Sequence, residues 1–194
     1  MRIISGEYKA KRLNSPKTDK TRPTLDRVKE ALFSIIDGYV RGASVLDLFS
    51  GTGNLAIEAL SRGADFAWLN DDKNLAISTI VSNIQLTKYQ NYAKITKKDY
   101  MKCLAQIIKE DLLFDIIFID PPYDTELGIN SLKFISDNKD KILKKDGIIV
   151  YETDKNFVQK ATKKKPDVFE NFENLECIDI RTYSNVVLYF YNWR

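Results

Sequence analysis

The chain of 194 residues contains no histidine and only two cysteines, Cys103 and Cys177, far apart and outside any CxxC pair. The first absence excludes a Ser-His-Asp triad and imidazole acid-base chemistry; the second leaves thiolate zinc sites and a disulfide framework without support. Chemistry here must rest on carboxylates, backbone groups or a cofactor. No apolar run approaches the ~18 residues of a membrane span. The amino terminus, "MRIISGEYKAKR", lacks the apolar stretch and small-residue cleavage site of a secretory signal, so a cytoplasmic protein is expected. Proline is scarce as well, five residues in all, yet two of them are adjacent at Pro121 and Pro122.

What is present fits one domain with a sizeable core: 44% of residues are hydrophobic and 29% charged, ordinary values for a globular protein. Net charge is only +3, but residues 1–29 hold nine Lys or Arg against three acids, a local excess of +6 that leaves the remainder at –3. A basic arm on a near-neutral body suits a polyanionic partner, and equally a solvated surface.

Along the chain, "RIISGEYKAKRL" reads as a short hairpin and "NSPKTDKTRP" as an exposed loop. Thr24 can cap a helix carrying Leu25, Val28, Leu32, Ile35 and Ile36 at the helical period. From Ala43 a strand, turn, helix pattern repeats. "SVLDLF", "FAWLN", "AKITKKD", "DIIFID" and "IIVYE" read as strands, with helices between them. Such alternation predicts an α/β fold with a mostly parallel sheet covered on both faces. "LECIDIRTYSNVVLYFYNW" holds two further β runs with no helix between, an antiparallel hairpin at one edge. "KATKKKPD", 160–167, reads as a basic loop, solvated or in contact with RNA. The division expected is 1–38 as a basic extension and 39–194 as the main domain.

Four strand ends carry the candidate chemistry. In "DLFSGTGNLAIEAL" the first strand runs from Asp47 and Phe49 through Gly51 and Gly53 into a helix. The glycines permit a tight turn and close approach of a ligand, and the helix amides can receive an anion. Gly51, Gly53 and Ala56 also satisfy a dinucleotide fingerprint, so the cofactor class stays open at this point. The second strand ends in Asn70, Asp71 and Asp72, which can meet ribose hydroxyls; the third in Asp99 and Tyr100, which can meet an adenine. Ligands of open α/β sheets bind at these carboxyl ends.

The fourth end, Asp120-Pro121-Pro122-Tyr123, separates the candidates. Hydride transfer to nicotinamide has no evident use for it. An exocyclic amine does, because its lone pair is delocalised into the ring until well-placed acceptors hold its N–H groups. The Asp120 carboxylate and the Pro121 carbonyl can be those acceptors, with Pro122 stiffening the loop and Tyr123 stacking on the base.

"DLFSGTG" with "DPPY" resembles the class I S-adenosylmethionine-dependent amino-methyltransferases. "RIISGEYKAKRL", "RPTLDRVKEALFSII" and the terminal "TYSNVVLYFY" resemble the RsmD family, in order from Arg2 to about Tyr191. The resemblance implies a Rossmann-like, doubly wound sheet of seven strands and methylation of guanine N2 in small-subunit (16S) ribosomal RNA. It also implies S-adenosylmethionine lying across Asp47, Phe49, Gly51, Gly53, Asn70, Asp71, Asp72, Asp99 and Tyr100, with Asp120 to Tyr123 catalytic and no metal. The phosphate contacts would come from Arg2, Lys9, Lys11, Arg12, Arg22 and Arg27. Two positions depart from the family: Asn70 stands where Glu is usual, and Ser184 follows Tyr183 where Gly is common. Rival readings are an adenine-N6 DNA methyltransferase, a protein-glutamine methyltransferase, and a non-catalytic RNA-binding module. A monomer acting on ribosomal RNA or an assembling small subunit is expected.

Overall fold

The structure, a computed structural model, describes residues 1–15, 23–170 and 172–194. Runs of β-branched and aromatic residues form seven strands: β1 (Ser44–Asp47), β2 (Phe66–Asp71), β3 (Ala93–Lys97), β4 (Phe114–Ile119), β5 (Leu143–Asp154), β6 (Leu175–Tyr183) and β7 (Val186–Trp193). They build a single sheet in the order β3-β2-β1-β4-β5-β7-β6. The first five are parallel, and β7 runs antiparallel to both β5 and β6, as the helix-free end of the sequence predicts. Ser184 adopts φ +56° in the β6–β7 turn, a left-handed position that the family's usual glycine fills without strain.

The helices are α1 (Pro23–Ile35), α2 (Asp37–Val40), α3 (Asn54–Ser61), α4 (Asn74–Leu86), α5 (Tyr100–Lys109), α6 (Leu127–Asp137) and α7 (Lys155–Lys164). Because side chains alternate across a strand, β1 sends Val45 and Asp47 to one face and Leu46 to the other. Val45, Phe118 and Val150 pack with α1, α3 and α4; Leu46, Ile117 and Ile149 pack with α5, α6 and Phe157 of α7. None of the described helices is long and apolar enough to cross a membrane. Chain order reverses between β1 and β4, and this switch point opens a crevice beyond the carboxyl ends of the strands.

Three local expectations change. Helix α1 already begins at Pro23, so Thr24 lies inside it rather than capping it; a proline in the first position lacks only an N–H that would have no helical partner. The predicted amino-terminal hairpin is reduced to one antiparallel bridge, Arg2 with Arg12, closing a run of turns. The two arms still pair around that bridge, the Ile3 amide donating to the Lys11 carbonyl at 2.9 Å, Ala10 to Ile3 at 2.8 Å and Leu13 to Met1 at 3.1 Å. The donors between the arms go to α3: Ile4 and Ser5 donate to the Glu58 carboxylate at 2.8 and 3.0 Å, and Glu7 and Tyr8 donate to the Ser61 carbonyl and hydroxyl at 2.8 and 3.0 Å. The third is "KATKKKPD", whose first half is helix, not loop. The Asp154 side chain caps α7 by accepting from the amides of Asn156 and Phe157, and Phe157 buries one side of it. Lys163 and Lys164 then lie in the last turn, where cations favour the helix dipole.

The extension over residues 1–38 shares the core of the body. Ile3, Leu13, Val28, Leu32 and Phe33 belong to the same buried cluster as Ile57, Ile80 and Phe118. Each such side chain contributes about 1.5–3 kcal/mol by leaving water. The arm is thereby held against the sheet face that carries Asp47.

Candidate active site

A cleft of about 650 Å³ follows the carboxyl ends of β1, β2, β3, β4 and β5. Its floor is the loop between β1 and α3. Gly53, at φ +78°, would push a side chain to within 3.0 Å of Leu69 and 3.3 Å of Ile57, so packing and backbone both require glycine there. Gly51, at φ +55°, faces open space instead, leaving its backbone approachable from the cleft. Asp47 is 1% exposed; one carboxylate oxygen accepts from the Ala56 amide at 3.3 Å, and Oδ1 has no partner among the described residues. Burial raises its pKa from 3.8 to about 7. An orphaned, buried acceptor on the cleft wall marks where a donor-bearing ligand group would be stabilised.

The three candidates at the end of β2 take different parts. Asn70 is buried and fully engaged: its amide donates to the Leu48 and Lys98 carbonyls at 3.2 and 3.0 Å, and its oxygen accepts from Thr96. Asp71 receives the Gly51 and Lys73 amides, both at 2.9 Å, and so ties the glycine loop to β2. Asp72 is exposed, lines the cleft and has no hydrogen-bond partner among the described residues. Asp99 caps α5 by accepting from Met101 at 3.0 Å through Oδ1. Its other oxygen is not used by the cap. Phe49 and Tyr100 meet with ring centroids 5.6 Å apart and together form an aromatic wall of the cleft.

At the far side the Asp120-Pro121-Pro122-Tyr123 loop leaves β4. Neither the Asp120 carboxylate nor the Pro121 carbonyl accepts a hydrogen bond among the described residues. Both acceptors are therefore available to a ligand. Desolvation, followed by the nearby carboxylates of Glu152 and Asp47, holds Asp120 well above the ordinary carboxylate range. Tyr123 is 49% exposed, and its hydroxyl donates to Glu152 Oε1 at 3.1 Å, fixing the ring at the cleft mouth.

Several site residues escaped the sequence reading. Glu152 follows Tyr151, the last residue of β5 paired with β4 and the partner of Ile119, and so stands beside Asp120 on the same face. It is 8% exposed, lines the cleft, and is raised in pKa by burial. An acid at the carboxyl end of a fifth parallel strand was the available signal. Met1, Lys29 and Asn54 also line the cleft, so the arm contributes part of its wall. Lys29 is buried and donates to Glu58, Asn54 and the Arg2 carbonyl.

Among the proposed phosphate contacts, Arg2, Lys9, Arg12 and Arg27 are exposed and Lys11 lies over the Tyr8 ring at 4.8 Å; Arg22 lies outside the described residues. Arg2 and Arg12 oppose each other across the bridge, and Arg2 pairs with Asp26 at 3.1 Å. Burial pushes both Cys103 and Cys177 thiols up to about 11, which leaves neither as a thiolate nucleophile at neutral pH.

The family described as conserved hypothetical protein 95 matches residues 1–192. YlbH of Bacillus subtilis is 39% identical over 155 residues, covering 80% of this chain and 83% of that one. Ribosomal RNA small subunit methyltransferase D of Escherichia coli K12 is 33% identical over 138 residues, 71% of this chain and 68% of that one. A solved Escherichia coli structure superposes with a TM-score of 0.81 at 27% identity, covering 100% of this chain and 97% of that chain.

Proposed function

The chain belongs to the conserved hypothetical protein 95 family, that of the RsmD methyltransferases, and from that premise we propose that it transfers a methyl group from S-adenosylmethionine to the exocyclic N2 of a guanine in small-subunit ribosomal RNA. The observation that carries this reading is the pair of unpartnered acceptors at Asp120 and Pro121, rigidly presented beside a glycine-floored cleft.

The residues fit the cofactor. Asp47 and the Gly51 backbone would hold its amino-acid portion, Asp72 its ribose, and Asp99 with Phe49 and Tyr100 its adenine. Asp72 is preferred over Asn70 and Asp71 because it alone of the three has no structural partner. The cofactor is a sulfonium cation, which a cleft rich in carboxylates attracts, and when bound it supplies an electrophilic methyl group. The protein's own part is to align the acceptor amine. Asp120 and the Pro121 carbonyl accept its two N–H groups, turn its lone pair toward the methyl and offset charge developing on nitrogen. The amine acidifies only as the new bond forms, so Asp120 acts first as an acceptor and need not be a strong base.

Tyr123 supports the extruded base on its half-exposed ring. Flipping costs a few kcal/mol, less for a base already unpaired, and stacking returns about 1–3, which favours a loop target. Arg2, Lys9, Lys11, Arg12, Arg22 and Arg27 bind phosphates and fix register without reading sequence. The reading takes the protein to act as a monomer in the cytoplasm.

The test is methyl transfer from radiolabelled S-adenosylmethionine to unmodified small ribosomal subunits, naked small-subunit RNA, duplex DNA and protein, with the labelled nucleoside identified afterwards. Label recovered as N2-methylguanosine supports the reading. Label confined to DNA or protein keeps the amine chemistry and reassigns the substrate, while cofactor binding with no transfer to any of the four overturns the reading.

A further inference from the structure

Strands β4 and β5 are parallel and in register through Ile119 and Tyr151, so the next residues on each, Asp120 and Glu152, emerge side by side on the face that carries Asp47. Two carboxylates at neighbouring strands, about 4.8 Å apart in backbone spacing, repel unless something rich in donors comes between them. Among the described residues no cation pairs with Glu152: its hydrogen-bond partner there is the Tyr123 hydroxyl on Oε1, which leaves Oε2 without a partner in a residue that lines the cleft. Lys29, a buried cation of the cleft wall, is committed to Glu58 at 2.9 Å. Nor do the acids form a metal cage; among the described residues no three His, Cys, Asp or Glu are disposed to hold an ion. In the absence of ligand, proton uptake relieves this repulsion, in keeping with the raised pKa of both groups; a ligand that brings N–H donors stabilises the ionised pair instead, because an ionised carboxylate can only accept.

The bases differ in what they offer such a row of acceptors. Guanine presents a ring N1–H directly beside its N2 amine, an uninterrupted run of donors. Adenine and cytosine place a ring nitrogen lone pair beside their amines, and uracil has no amine. A carboxylate facing that ring nitrogen attracts guanine and repels the other amino bases.

We propose that Glu152 is the residue that selects guanine, its Oε2 accepting the ring N1–H while Asp120 and the Pro121 carbonyl hold the N2 amine. The inference rests on the methyl-transfer reading above and adds to it the residue that chooses the base. Tyr123 then has two tasks, since the ring that supports the base also fixes Glu152 through its hydroxyl.

The experiment compares two acceptors, small subunits reconstituted on RNA carrying either guanosine or 2-aminopurine ribonucleoside at the methylated position. Both have the N2 amine; 2-aminopurine has a lone pair in place of the N1–H and also lacks O6, a second difference that is the same for wild type and variant and so cancels when their ratios are compared. The wild-type protein is expected to methylate guanosine at least about 100-fold faster, in line with sites whose buried acceptor is left unpaired. In Glu152→Gln, whose amide can donate to that lone pair, the ratio is expected to fall at least about tenfold with cofactor affinity unchanged. Glu152→Asp, which keeps the carboxylate, is expected to retain a preference for guanosine at a lower rate and guards against a variant that merely folds badly. An unchanged ratio in Glu152→Gln, with wild-type guanine methylation intact, overturns the selection role alone. Failure of the wild-type protein to methylate the guanosine-bearing particle overturns the functional reading and this inference together.

Discussion

Lys29 and Glu58 form an ion pair buried beneath the amino-terminal arm, Nζ to Oε2 at 2.9 Å with side chains 2% and 0% exposed. Glu58 also receives Arg62 at 2.8 Å and the amides of Ile4 and Ser5, so four donors converge on one carboxylate. Burial pulls the Lys29 ammonium below its ordinary pKa, with Glu58 partly restoring it. Glu58→Ala leaves a buried cation and two amides unpaired and is expected to destabilise the fold by about 3–5 kcal/mol in urea unfolding. A loss under about 1 kcal/mol would show that the pair is not what holds the arm.

The carboxylates of the cleft give stability a defined pH dependence. Asp47 titrates near 7 when folded against 3.8 ordinarily, so between those values the folded state binds more protons than the unfolded. Its contribution is full below pH 4 and is lost as pH rises through 7, a change of about 4 kcal/mol. Asp120 and Glu152, raised in the same direction, add to the trend. The cofactor-free protein is therefore expected to be less stable at pH 8 than at pH 5. Asp47→Asn should flatten that dependence while weakening cofactor affinity; a slope equal to wild type would remove Asp47 as its cause.

Charge reversal at Lys11 and Arg12 is expected to weaken RNA binding and to lower the slope of log affinity against log salt by about 1–2. Cofactor affinity, measured by calorimetry, should be unaffected. An unchanged salt slope would move the phosphate track away from the arm.

The sheet, its order of elements and the glycine loop were legible because each depends on residues adjacent in sequence: an apolar strand, a turn, an amphipathic helix. What escaped depended on distant partners. Glu58 sits in "NLAIEALS" at a position that reads as a solvated acid, and only the arm folding back over α3 makes it the hub of four donors. Lys29 counted toward the basic arm, yet it points inward. The pairing of the two arms around Arg2 and Arg12 was legible, but the docking of Ile4, Ser5, Glu7 and Tyr8 on α3 was not, and α7 was hidden by lysines that obscure its period while Asp154 and Phe157 define it. At the end of β2 three polar residues in a row gave no means of choosing. The structure distinguishes them by which side chains already have partners. That Asp120 and Pro121 stand at a strand end was legible from the apolar run that two adjacent prolines stop, and the structure adds that both line the cleft.

The most direct measurement is single-turnover methyl transfer by Asp120→Ala alongside its affinity for S-adenosylmethionine. In the proposed arrangement Asp120 holds the acceptor amine and not the cofactor, so affinity is expected to stay within about twofold while the rate of transfer falls at least about 100-fold. Transfer near the wild-type rate with cofactor bound would contradict the assignment of this strand end as the amine-presenting site.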